Sequence, residues 1–289
     1  MSTHPKIISP AECRQIIREI PNNRDLQTFI THMQIFEGRP FDILDCQKFY
    51  ETLYLLALRT GEACGVSTPE DPNKNTGMTL KAEKAWYTPD PTINEEMDNL
   101  TRLIYTKRLR EGIDKPPSTA DLLKINEPIT FFSVQVEKRK DNFIRKTAIP
   151  MRCDPIAAPV ANYIMQHQND PPVFPINRQQ ALRLAHIIFK DCSYKINAYH
   201  IDALDENKQP ILKNNGKPKK KLVPIKTKLF GDHAIRHLSL EEKKKLGIRG
   251  PFLKAFVGWT PKSEETLEDT YAGETFRAYL PFLLMQKLS

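Results

Sequence analysis

The chain has no run of about 18 apolar residues, although 40% of its 289 residues are hydrophobic, so no segment reads as a membrane span. Its opening, MSTHPKIISPAECRQ, carries no apolar stretch of the kind a secretory signal needs. Cysteine is sparse. The five residues Cys13, Cys46, Cys64, Cys153 and Cys192 form no C-x-x-C pair, and none sits at metal-ligand spacing from a histidine. That sets aside a disulfide scaffold and a structural zinc site, and fits reduced thiols in a cytoplasmic protein. A glycine-rich phosphate loop and a clustered set of Asp and Glu for a catalytic metal are also missing. No repeat and no long low-complexity tract interrupts the chain.

What the sequence does contain is concentrated positive charge. Seven lysines and no acid lie between Lys213 and Lys228, and six basic residues against one acid lie between Lys138 and Arg152. These windows carry +7 and +5 of a net +8, so the remainder nets −4. Charge gathered in this way suits a surface for phosphates, although solvated lysine loops have the same composition.

Periodicity predicts an α+β protein, mostly helical with a small antiparallel sheet. Two helical stretches fill residues 10–35, broken at Pro21-Asn22-Asn23. A third runs from Leu44 to Leu58, with Asp45 as its cap and Leu53, Leu56 and Ala57 on its buried side. A strand falls near Lys84–Tyr87, and a charged helix at 94–111. Phe131–Val136 and Phe143–Ile149 alternate like the two arms of a hairpin that Pro150 ends. Helices follow at 155–167 and 177–192, then a basic excursion at 199–228 with a turn at Asn214-Asn215-Gly216. A helix at 231–246 precedes short helices at 251–257, 262–271 and 274–287.

Within this frame a set of chemistry-bearing residues recurs in order. Arg59 and Glu62 stand three apart after the apolar helix. Lys138 and Lys140 occupy the hairpin turn. His233 and Arg236 are three apart on one helix, where such a spacing places side chains on one face. Trp259, preceded by Gly258, lies 23 residues beyond Arg236, and Tyr271 comes 12 residues after Trp259. Together with Val173–Gln180, this succession resembles the catalytic domain of the tyrosine recombinases (integrases). That family's pattern is an arginine box, a lysine on a β-turn, H-x-x-R, then G-H or G-W, then a nucleophilic tyrosine. The resemblance spans residues 43–272.

The resemblance implies a tyrosine-recombinase-like fold and a site-specific DNA recombinase that cleaves and rejoins DNA through a covalent 3′-phosphotyrosine. Tyr271 is then the nucleophile, with Tyr279 held in reserve. Arg59 and Arg236 form a clamp on the scissile phosphate, since a guanidinium fork grips two oxygens and is always charged. His233 and Trp259 add hydrogen bonds to the phosphate, and Lys138 or Lys140 protonates the leaving 5′ oxygen. Glu62 orients Arg59, unless it is an ordinary surface acid at a helix end. Arg139, Arg145, Lys146, Arg178, Lys219, Lys220 and Lys221 contact DNA phosphates. No metal and no other cofactor is implied, because the tyrosyl ester conserves the energy of the broken bond. The implied partners are double-stranded DNA and three further copies in a tetramer assembled on it, with no membrane. A type IB topoisomerase shares this catalytic set, and a silent DNA-binding relative keeps the fold without the chemistry.

Three departures accompany the resemblance. Residues 1–40 read as a short N-terminal helical segment, too short for the family's core-binding domain. The catalytic domain, 41–273, carries an insertion at 67–128. The interval from Trp259 to Tyr271 runs a few residues longer than the family's. The tail helix, 274–289, is apolar through Phe276, Tyr279, Leu280, Phe282, Leu283 and Leu284. Such a helix either packs on its own domain or is exchanged with a neighbouring protomer.

Overall fold

The computed structural model describes residues 5–33, 39–64, 80–87, 127–135, 144–151, 154–169, 172–196, 199–206, 209–213, 216, 218–223, 226–231, 233–246, 248, 253, 256 and 257. Helix α1 (Pro10–Arg18) starts because Ser9 and Glu12 cap reciprocally, Glu12 N–H donating to Ser9 Oγ and Ser9 N–H to Glu12 Oε2, with Pro10 in the first turn. Pro21 lies in a single 3-10 turn, Ile20–Asn22, and Asn23 then caps α2 (Arg24–His32). Cys13, Ile17, Ile20, Leu26 and Ile30 from this segment join the same hydrophobic cluster as the rest of the chain.

Helix α3 (Ile43–Leu55) is the axis of the core. Its cap is Asp42 rather than Asp45; Asp45, three residues on, returns its carboxylate to the Asp42 N–H at 3.0 Å. Phe49, Tyr50, Thr52, Leu53, Tyr54 and Leu55 are all at most 2% exposed, so α3 is covered nearly all round, as a central helix must be. Tyr50 donates its hydroxyl to Ala181 O at 2.6 Å, and Tyr54 to Pro10 O at 3.2 Å. The helix ends three residues earlier than its apolar pattern suggests. Ala57 takes a left-handed conformation, φ 49°, Leu58 N–H donates to Leu53 O, and Ala57 N–H donates to Tyr54 O. This is a Schellman stop built on alanine instead of glycine. The chain then enters the short helix α4 (Thr60–Ala63).

Strands β2 (Lys81–Tyr87), β3 (Glu127–Gln135) and β4 (Ile144–Pro150) form an antiparallel sheet in that order, with Phe131 opposite Ala148. Helix α5 (Ala157–His167) packs on β2, and the Gln168 side chain that follows accepts from Ala82 N–H. Along β4, Arg145 and Thr147 face inward while Ile144 and Lys146 face out.

A second, mixed sheet has no counterpart in the periodicity. The two-residue strand β1 (Lys6–Ile7) lies parallel to β5 (Cys192–Ile196), which pairs antiparallel with β8 (Lys226–Leu229). Helix α6 (Arg178–Ile188), capped by Asn177 and Gln180, therefore stops short of Cys192. Between β5 and β8 the basic excursion is a ribbon, β6 (Tyr199–Asp202) against β7 (Lys220–Val223). Beyond β6 and β7, bridges Leu204 to Pro210 and Leu212 to Pro218 divide it into two small arms, with Gly216 at φ 73° in the turn.

Helix α7 (Ala234–Lys245) packs on α3 and α1. Its last turns are tied by an ionic cluster. Arg14 forks onto Asp154 (2.6 and 3.0 Å) and Glu242 (2.7 and 2.8 Å) and lies over the Tyr54 ring. Lys243 is 1% exposed, 3.7 Å from Glu242 Oε2 and 5.8 Å from the centre of the Phe256 ring. Burial lowers the Lys243 pKa, partly countered by Glu242 and Asp154.

Replacing Arg14 by Met leaves two acids facing each other in a largely enclosed place. The expected cost is about 3 kcal/mol, read as a lower urea midpoint. Burial pushes the Asp154 pKa up, but the hydrogen bonds and charge of Arg14, and the charge of Lys243, outweigh it and hold the carboxyl below its ordinary value. The stability this confers is complete above about pH 4, the unfolded value, and is lost as pH falls through the lower folded value. Unfolding midpoints measured from pH 5 down to pH 2 should drop more steeply for the wild type than for Asp154→Asn.

Candidate functional site

The site begins at the left-handed turn that ends α3. Arg59 follows it in extended conformation, φ −73°, ψ 149°, and opens α4. Glu62, one turn on, accepts from the Arg59 backbone N–H at 2.8 Å through Oε2 and from Arg59 Nη1 at 2.8 Å through Oε1. A carboxylate at this position satisfies a helix N-terminus and orients the side chain of the capping residue in one stroke.

Arg236 arrives from the first turn of α7. Its Nη1 donates to Ala57 O at 2.6 Å and lies 3.4 Å from Glu62 Oε2. Glu62 is fully enclosed and so stands between two guanidiniums that are 177 residues apart in sequence. Arg59 is the more open of the two, its side chain 14% exposed against 6% for Arg236. Two cations held beside one buried acid leave net positive charge in a low-dielectric setting, where it acts more strongly than in water.

His233 is the capping residue of α7 and is exposed, while Arg236 one turn later is buried; the helix starts at Ala234, not before His233. His237 stacks on Tyr194 with ring centres 5.6 Å apart. Burial lowers its pKa, and the neighbouring charges of His233, Lys244, Arg236 and Lys228 lower it further. The start of α7 is therefore a positive environment. His237 belongs to it although the H-x-x-R spacing does not include it; its place one turn after His233 was the available signal.

Arg145 is not on the surface where it is expected. Its place in a basic window predicts the DNA-facing surface, yet it is 2% exposed. Its Nη2 donates to Leu56 O at 2.8 Å and its Nη1 to Phe256 O, which Thr147 Oγ1 also approaches at 3.5 Å. The two-residue period of β4 turns Arg145 inward beside Thr147, and a charged residue at an inward position looks like a surface one until its partners are known. The alternation was the signal that could have placed it.

Of the other candidates, Lys146 is exposed on the outer side of β4, and Arg178 is exposed at the start of α6. Lys219 and Lys221 are exposed along the ribbon, and Lys220 pairs in register with Asp202 through the backbone. Lys138, Arg139, Lys140, Trp259, Tyr271, Tyr279, the helix expected at 94–111 and the tail at 274–289 lie outside the described residues. Among the described residues no group of three His, Cys, Asp or Glu side chains is arranged to hold a metal ion, and no helix is long and apolar enough to cross a membrane.

The arrangement suits an anion with several oxygens. Fixed guanidiniums stabilise charge that develops on a phosphoryl group without reorganising as it develops. No family model, no curated protein and no solved structure matches the chain.

Proposed function

We propose that this chain breaks and rejoins DNA strands as a tyrosine recombinase, with Tyr271 as nucleophile. The observation that carries the reading is the meeting of Arg59 and Arg236 around the one buried carboxylate of Glu62. Two arginines of a proposed phosphate clamp, far apart in sequence, share one orienting acid. The exposed lysines of the ribbon and of β4 provide a surface for the flanking phosphates.

In the proposed reaction Tyr271 loses its hydroxyl proton to solvent, the surrounding cations favouring the phenolate, and the phenolate oxygen attacks the scissile phosphorus. The bond from phosphorus to the 5′ oxygen breaks, and the departing oxygen takes a proton from Lys138 or Lys140. Arg59 and Arg236 hold the non-bridging oxygens as charge builds on them, and His233 and Trp259 donate further hydrogen bonds. The product is a 3′-phosphotyrosine and a free 5′-hydroxyl. Attack by a 5′-hydroxyl reverses the step and reseals a strand, so the energy of the cleaved bond is kept.

The deciding measurement uses a pool of 5′-end-labelled duplexes of randomised sequence, nicked on the 3′ side of the cleavage position so that the short released fragment bearing the 5′-hydroxyl diffuses away. Wild-type protein should retain label through denaturing electrophoresis, and Tyr271→Phe should not. A label retained equally by both proteins would exclude this nucleophile, and none with wild type would exclude the reading.

The clamp makes a sharper demand. Arg59→Lys and Arg236→Lys keep the charge but lose the fork, so each should lower the cleavage rate roughly 100- to 1000-fold, with much of the DNA binding retained. Cleavage by Arg236→Lys at the wild-type rate would contradict the clamp.

DNA affinity should also fall steeply with salt. Replacing Lys219, Lys220 and Lys221 together by Gln should reduce the slope of log affinity against log salt by up to about 3, one for each phosphate that is no longer neutralised. A slope that does not change would mean that the ribbon stays in solvent.

A further inference from the structure

The turn that delivers Arg59 is held from both sides. Ala57 is in the left-handed region at φ 49°, a conformation that a residue with a Cβ keeps only where its surroundings fix it. The carbonyl before it, Leu56 O, accepts from Arg145, and its own carbonyl accepts from Arg236. The second arm of the Arg145 fork takes Phe256 O, three residues before Trp259. One buried guanidinium thus joins three separate segments: β4, the end of α3 and the chain at Phe256.

We infer that Arg145 is a positioning residue of this site, acting through Arg59. It holds the Leu56–Ala57 turn so that Arg59 meets Glu62 and Arg236 before any DNA is bound. The inference rests on the recombinase reading. A planar fork is needed because the two carbonyls belong to different segments; a lysine ammonium offers no fixed pair of donors. Without the fork, Leu56 O loses its partner, Ala57 relaxes toward negative φ, and the Arg59 guanidinium moves away from its place beside Arg236. A displacement of about 1 Å in such a clamp lowers a rate on the order of 100-fold.

The test uses the full chain and the duplex pool described above, with single-turnover cleavage and DNA affinity measured separately. Arg145→Lys should cleave roughly 10- to 100-fold more slowly, with affinity unchanged. Combined with Arg59→Ala, it should add no more than about twofold to the defect of Arg59→Ala alone, since both act through one group. Glycine adopts φ 49° without the penalty of a Cβ, so Ala57→Gly in the Arg145→Lys background should restore part of the rate. Arg14→Met lies outside the site; it should lose stability but keep the wild-type rate at a temperature where it remains folded. That separates positioning from a general loss of stability.

Several outcomes would overturn the inference: cleavage by Arg145→Lys within about twofold of wild type, or full additivity with Arg59→Ala. Failure of both Arg145→Lys and Arg145→Met to fold would assign Arg145 to the core alone and overturn it equally. A wild-type protein that forms no adduct defeats the recombinase reading and this inference with it. A wild-type adduct with an unaffected Arg145→Lys rate defeats this inference alone.

Discussion

Glu62 is fully buried, and a carboxylate in that position costs on the order of several kcal/mol unless it is paired and hydrogen-bonded. It is both: Arg59 approaches through its backbone N–H and guanidinium, and Arg236 approaches from another helix. Removing either arginine would leave a buried charge partly uncompensated, so the acid constrains both to stay. The end of α3, the start of α4 and the first turn of α7 are therefore mutually fixed. The strained turn at Ala57 persists inside this constraint, its two flanking carbonyls taken by Arg145 and Arg236.

Helix α7 is secured at both ends, by different chemistry. At its start, Arg236 reaches Ala57 O and Ser239 donates to Tyr54 O at 2.5 Å. At its far end Glu242 is gripped by Arg14, and Lys243 is enclosed against Phe256. Arg14 connects that end to α1 and to Asp154, just before α5. The N-terminal helices are thereby tied to the far end of α7, away from Arg236. Apolar contacts from Cys13, Ile17 and Ile20 in the common core act in the same direction. The start of α7, fixed by Arg236 and Ser239 to the end of α3, is pre-organised, as the proposed phosphoryl transfer would require.

The sequence was informative wherever a local rule decides the outcome. The break at Pro21-Asn22-Asn23 separated α1 from α2 within residues 10–35 as the periodicity indicated. Alternation in Phe131–Val136 and Phe143–Ile149 anticipated β3 and β4, and the turn signal near Asn214 anticipated the ribbon. It misled where partners come from far away. The apolar run through Leu58 looked like continued helix, because nothing local marks Ala57 as a left-handed stop. β1 is only two residues long and depends on β5, which lies more than 180 residues later in the chain. Arg145 carried the composition of a surface residue and the position of a core one.

By itself, the sequence determined the α+β class, the approximate places of the longer helices, the concentration of lysine in two windows, and the order in which Arg59, Glu62, His233 and Arg236 occur. Those features depend on neighbours a few residues away, on side-chain period and on charge count, all of which can be read along one chain. Only the tertiary structure decided that Glu62 lies between two guanidiniums, that Arg145 faces inward to hold two carbonyls, and that His233 is open to solvent while Arg236 is not. Burial and hydrogen-bond partnership are properties of how distant segments meet, and the energy of a charged side chain is set by that meeting rather than by its place in the chain.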